Sequence, residues 1–117
     1  MSYRLGLSLP AWCALSQLPT PVAEHRFSPP RRWRFDWAFL AERIAVEQEG
    51  GIWTKGRHTR GAGVVKDMEK YNQAAIDGWC VLRATPDQIA SGAILETVRR
   101  ALQARASRTY GEDHDHA

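Results

Sequence analysis

The chain has 117 residues, 44% of them apolar and 25% charged, with a net charge of +3. That is enough for one globular domain and too little for several. The longest apolar stretches, such as Ala38–Ala41, are a few residues long. A helix crossing a bilayer needs about 20 apolar residues, so no membrane span is expected. The start carries no cleavable leader pattern, and Cys13 and Cys80 form neither a disulfide framework nor a metal motif. The expectation is a soluble protein of a reducing compartment, the cytoplasm. No organic cofactor motif is present.

In chain order, the segment Pro10–Leu18 has the spacing of a short helix, closed by Pro19 and Pro21. Pro29-Pro30 marks an extended approach. Residues 32–40 then alternate, with Trp33, Phe35, Trp37 and Phe39 on one face and Arg32, Arg34, Asp36 and Ala38 on the other. Alternation of this kind predicts a strand with the aromatic face in the core. Ile44–Glu49 reads as a second strand after a tight turn at Ala41–Arg43, which makes a hairpin. A glycine- and arginine-rich loop runs from Gly50 to Gly63. Apolar residues at Val64, Met68, Tyr71 and Ala75 predict an amphipathic helix over 64–77, with Gly78 at its C-cap. Trp79–Ala84 is a third strand. Thr85 and Pro86 suit the N-cap and first position of a helix, and Ile94, Leu95, Val98, Ala101 and Leu102 mark a final helix. Residues 1–106 form the single domain, and 107–117, acidic and His-containing, are expected as a disordered tail. The fold class is α/β, a small mixed sheet flanked by helices in the order (α)ββαβα.

The charges are not spread evenly. Arg26, Arg31, Arg32, Arg34, Lys55, Arg57, Arg60, Lys66 and Lys70 crowd the middle of the chain, interleaved with Trp33, Trp37 and Trp53. A basic, aromatic stretch of this kind suits a polyanion partner as well as an ordinary solvated face. Within it sit three acids. Glu47 and Glu49 are two residues apart and so share a strand face, and the hairpin sets that face beside Asp36. Carboxylates crowded on one sheet face suit a hard divalent ion, which takes such oxygen donors, as well as acids that simply face solvent on a half-exposed sheet.

The runs Arg31-Arg32-Trp33-Arg34-Phe35-Asp36 and Ala45-Val46-Glu47-Gln48-Glu49-Gly50-Gly51 resemble the PD-(D/E)XK, restriction-endonuclease-like nuclease superfamily. Its small phage and bacterial members akin to very-short-patch-repair endonucleases are the nearest in pattern. Gly56–Gly61, Asp67, Lys70-Tyr71-Asn72, Gly78-Trp79 and Val81–Arg83 extend the likeness over about residues 20–105. The resemblance implies a restriction-endonuclease-like core and a DNA endonuclease using Mg²⁺, with Mn²⁺ as a substitute, in a bacterial or phage-infected cytoplasm. Its substrates would be branched, mismatched or foreign DNA. Carried over by motif, Asp36 and Glu47 hold the metal. Glu49 stands where the pattern has lysine and would be a further ligand or a water-orienting base, and Glu24 is a fourth candidate ligand. Lys70, Lys66 or Lys55 would supply the displaced lysine.

In the loop, Arg57, His58 and Arg60 suit phosphate contacts, with His58 also able to assist proton transfer, and Trp53 suits stacking against DNA. Arg32, Arg34, Lys55 and Lys66 complete the candidate DNA contacts. One site per chain implies a homodimer for double-strand cleavage. The rival reading is a non-catalytic DNA-binding module of the same fold.

Overall fold

A computed structural model describes residues 6–50 and 62–116. The elements are α1 (Leu9–Leu15), β1 (Val22–Arg26), β2 (Arg34–Phe39), β3 (Ile44–Gln48), α2 (Ala62–Ile76), β4 (Cys80–Ala84), α3 (Pro86–Ala90) and α4 (Ile94–His116). The four strands form one sheet in the order β1-β2-β3-β4. β1, β2 and β3 run antiparallel in turn, and β4 pairs with β3 in parallel, as a strand reached through a helical crossover does. The result is a mixed α/β fold with helices on both faces of the sheet. No helix among the described residues is long and apolar enough to cross a membrane.

Period-two alternation on β3 and β4 builds the two layers. Ile44, Val46 and Ala84 join Leu9 and Cys13 of α1, Ile89 of α3 and Ile94 and Val98 of α4 in one core. Ala45 joins Ala74 of α2 in the other, with Trp79, Val81 and Phe27 packed against it. The short helices are set by their caps. The Ser8 hydroxyl accepts from Ala11 N–H, and Thr85 and Gln88 form a reciprocal capping box with Pro86 at the start of α3. Gly78, just past α2, has φ +85°, the left-handed conformation expected of a helix-ending glycine.

Gly92 has φ +81°, and a Cβ there would lie 3.1 Å from two carbons of the Trp12 indole, whose Nε1 donates to Ala90 O at 3.2 Å. Left-handed backbone costs an L-residue about 1–2 kcal/mol even without a clash. Gly92→Ala is therefore expected to destabilise the chain by about 2 kcal/mol or more in urea unfolding.

Three features differ from the sequence expectation. β1 lies on residues to which the sequence pattern assigned no element, so the meander has three strands before α2. It is an edge strand with four of its five residues exposed, and therefore carries no apolar alternation to read. The aromatic row of β2 does not share one face: Phe35 belongs to the α2-side core with Ala38, whereas Trp37 and Phe39 pack on the other side. Regular alternation cannot put residues 35 and 38 on one face, so the strand changes face across Asp36. Helix α4 also continues to His116, through most of the segment from 107 set apart as a tail.

Candidate active site

The face change on β2 coincides with an interruption of the sheet ladder. Opposite Asp36 on β1, Glu24 has φ +55°, and the β2–β3 register runs from Phe39↔Ile44 only as far as Trp37↔Val46. Where the next pair would be, side chains take over from the backbone. Asp36 N–H donates to Glu47 Oε2 at 3.0 Å, and Gln48 N–H donates to Asp36 Oδ2 at 2.7 Å. Each acid thus holds the backbone of the opposite strand, which ties both carboxylates to the same gap in the hairpin.

Glu47 is 5% exposed, the one charged residue among the buried ones described. A buried carboxylate is costly unless it is paired and hydrogen-bonded. Helix α2 supplies both partners: Lys70 Nζ lies 2.7 Å and Tyr71 Oη 2.6 Å from Glu47 Oε1. Lys70 also sits 5.7 Å from the Phe35 ring centroid, so its ammonium rests against the aromatic residue that the face change placed on this side. Arg83 of β4 lies 4.4 Å above the Tyr71 ring. It stacks on this tyrosine, and no ion pair links it to an acid among the described residues.

Burial pushes the Tyr71 phenol above its usual 10; the hydrogen bond to Glu47, the charge of Glu47 and the charge of Glu49 act the same way, and Arg83 opposes them. A folded pKa raised above the unfolded one gives stability that is fully present below pH 10 and is lost as the pH climbs from there through the folded value. The stability advantage of wild type over Tyr71→Phe is therefore expected to be constant near neutrality and to shrink in the alkaline range. Urea unfolding at about pH 8 and about pH 11 checks this.

The other sequence candidates are not gathered around Glu47. Glu49 keeps its backbone in register through Glu49 N–H to Ala84 O at 2.8 Å. It lines a groove of about 590 Å³ with Asp67, Met68, Tyr71, Asn72 and Arg83. Glu24 and Asp36 both border a cleft of about 360 Å³ with Gln48. Glu24, however, pairs with Arg34 at 2.9 Å, with both side chains more than half exposed. Such an exposed pair is worth little. No group of three ligating side chains forms among the described residues. Lys66, unlike Lys70, is exposed on α2 and makes no ion pair among the described residues, and Arg32 is exposed just before β2. Trp53, Lys55, Arg57, His58 and Arg60 lie outside the described residues.

Tyr71 is the site residue that sequence reasoning missed. Its place on the apolar stripe of α2 marked it as core, yet a half-buried tyrosine needs a partner for its hydroxyl, and Lys70 beside it pointed to where that partner sits. Comparison with protein-family models finds no matching family, and comparisons with curated proteins and with solved structures find no match either.

Proposed function

We propose that the chain is a metal-dependent DNA endonuclease of the restriction-endonuclease-like kind. One observation carries the reading: Asp36 and Glu47, the two acids assigned by motif, meet at the interrupted point of the β2–β3 hairpin, and Lys70 arrives there from α2. The mixed sheet flanked by helices is in keeping with it.

The donor set fits a hard divalent cation. Two carboxylates on neighbouring strands match the one or two that hold Mg²⁺ alongside waters and a substrate phosphate. When bound there, such an ion would activate a water and neutralise charge developing on the phosphate. The chain's own residues do the rest. Asp36 and Glu47 are fixed by the opposite strand, so the ligand geometry is set before substrate arrives. Lys70 has three donor positions and uses one on Glu47, leaving others for a phosphate oxygen. This answers the absence of lysine at position 49 with a lysine from the following helix. Glu49, placed in the adjoining groove, suits a water-orienting role better than ligation. Lys55, Arg57, His58, Arg60 and Trp53 are assigned to the DNA backbone and bases, with Arg32, Arg34 and Lys66 contributing charge.

A second reading, a DNA-binding module without cleavage, is favoured by the pairing of Glu47. Lys70, Tyr71 and Asp36 N–H already satisfy that carboxylate with no metal. Cleavage of a labelled panel of single-stranded, duplex, nicked, mismatched, flap and four-way-junction DNA, with Mg²⁺, Mn²⁺ or EDTA, separates the two. Metal-dependent cutting supports the nuclease, and salt-sensitive binding without cutting supports the module.

A further inference from the structure

Glu47 Oε1 receives two donors of unlike kind. Lys70 brings a charge on a flexible four-carbon stem; Tyr71 brings a single hydroxyl at the end of a rigid ring with two side-chain torsions. The ring is itself held, with the Arg83 guanidinium 4.4 Å from its centroid and Lys70 Nζ 5.1 Å away. Arg83 extends from β4, the strand paired with β3, and stands opposite Glu47 in that register. The chain Arg83–Tyr71–Glu47 therefore closes a loop from β4 through α2 back to β3. On the other side, Asp36 N–H fixes Glu47 Oε2 at 3.0 Å. Both oxygens of the carboxylate are thus clamped, one by backbone and one by this aromatic arm.

We infer that Tyr71, steadied by Arg83, is a positioning residue that fixes the Glu47 carboxylate for a divalent cation. The inference rests on the endonuclease reading and assigns it a residue outside the acid and lysine pattern. Groups hydrogen-bonded to a ligating carboxylate restrict its orientation, and their loss typically costs about 10–100-fold in metal affinity. Without Tyr71, Glu47 Oε2 would keep its backbone donor, but Oε1 would be held only by Lys70 on its flexible stem.

The test is Mn²⁺ binding to the intact chain without DNA, followed by electron paramagnetic resonance of the free ion. Wild type is compared with Tyr71→Phe, Arg83→Gln and Glu47→Gln, each also melted thermally. Tyr71→Phe is expected to stay folded and to bind Mn²⁺ about 10–100-fold more weakly. Arg83→Gln, which keeps the hydroxyl and removes the stacked cation, should weaken it about two- to fivefold. Unchanged affinity in Tyr71→Phe, with affinity lost in Glu47→Gln, overturns the inference and leaves the endonuclease reading standing. A wild type that binds no Mn²⁺ and cuts no DNA overturns both. Should Tyr71→Phe not fold, Arg83→Gln decides: wild-type affinity overturns the inference and weakened affinity supports it.

Discussion

Lys70→Met is expected to destabilise the chain by about 3 kcal/mol, the low end of what removing one partner of a buried ion pair costs. The side chains of Lys70 and Glu47 are 15% and 7% exposed, so solvent screens the pair little. Without the ammonium, the carboxylate keeps Tyr71 Oη and Asp36 N–H but loses its counter-charge. Methionine preserves most of the stem that packs toward Phe35, so the loss reports charge more than volume. Total stability of a domain this size is about 5–15 kcal/mol, which makes the effect a large share of it. Glu47→Gln in the same chain should recover much of the loss, because the amide leaves no unpaired charge: its oxygen can accept from Asp36 N–H, and its NH2 can donate to the Tyr71 hydroxyl. A urea-unfolding cycle over the two single variants and the double variant measures this. The expected coupling is about 1–3 kcal/mol. A single-variant cost under about 0.5 kcal/mol would place the pair with screened surface bridges and remove the reason for Lys70 to sit at the site. The result bears on the structure whether or not the chain cuts DNA.

What the sequence revealed followed from where the sheet is covered. β3 is sandwiched between two cores, so its period-two pattern placed Ile44 and Val46 on one side and Ala45 and Glu47 on the other, as found. The parity of Glu47 and its nearness to Asp36 across a hairpin were legible for the same reason. β1 was not, because an exposed edge strand has no second layer to impose an alternation. The face change at Asp36 was not either. It depends on two side-chain-to-backbone hydrogen bonds between residues 11 and 12 positions apart, and no local pattern encodes those. Lys66 and Lys70 looked equivalent on a helical wheel. Only the packing of Ala74 against the sheet fixes the turn of α2 that brings Lys70, and with it Tyr71, to Glu47.

The decisive variant for function is at Asp36, and the choice of replacement matters more than usual. Alanine would remove the metal ligand and also the acceptor of Gln48 N–H, 2.7 Å away, so lost cleavage could follow from a loosened hairpin. Asparagine keeps an oxygen for that N–H and removes the negative charge a divalent cation needs. If the chain is the proposed nuclease, Asp36→Asn should melt within a few degrees of wild type yet cut its preferred substrate about a thousandfold more slowly. That corresponds to about 4 kcal/mol, the scale of a metal ion's contribution to the transition state. DNA binding should be retained or tightened, since a negative charge has left a surface that faces phosphates. Cutting by Asp36→Asn at the wild-type rate would remove Asp36 from the mechanism, and with it the motif assignment that Glu47 and Lys70 depend on. If wild type cuts nothing and both proteins bind DNA with the same steep salt dependence, the internal pairing of Glu47 with Lys70 is the resting state of a binding module. The hairpin gap would then serve to hold α2 against the sheet, because a carboxylate already satisfied by an ammonium, a phenol and a backbone N–H needs no metal to remain buried.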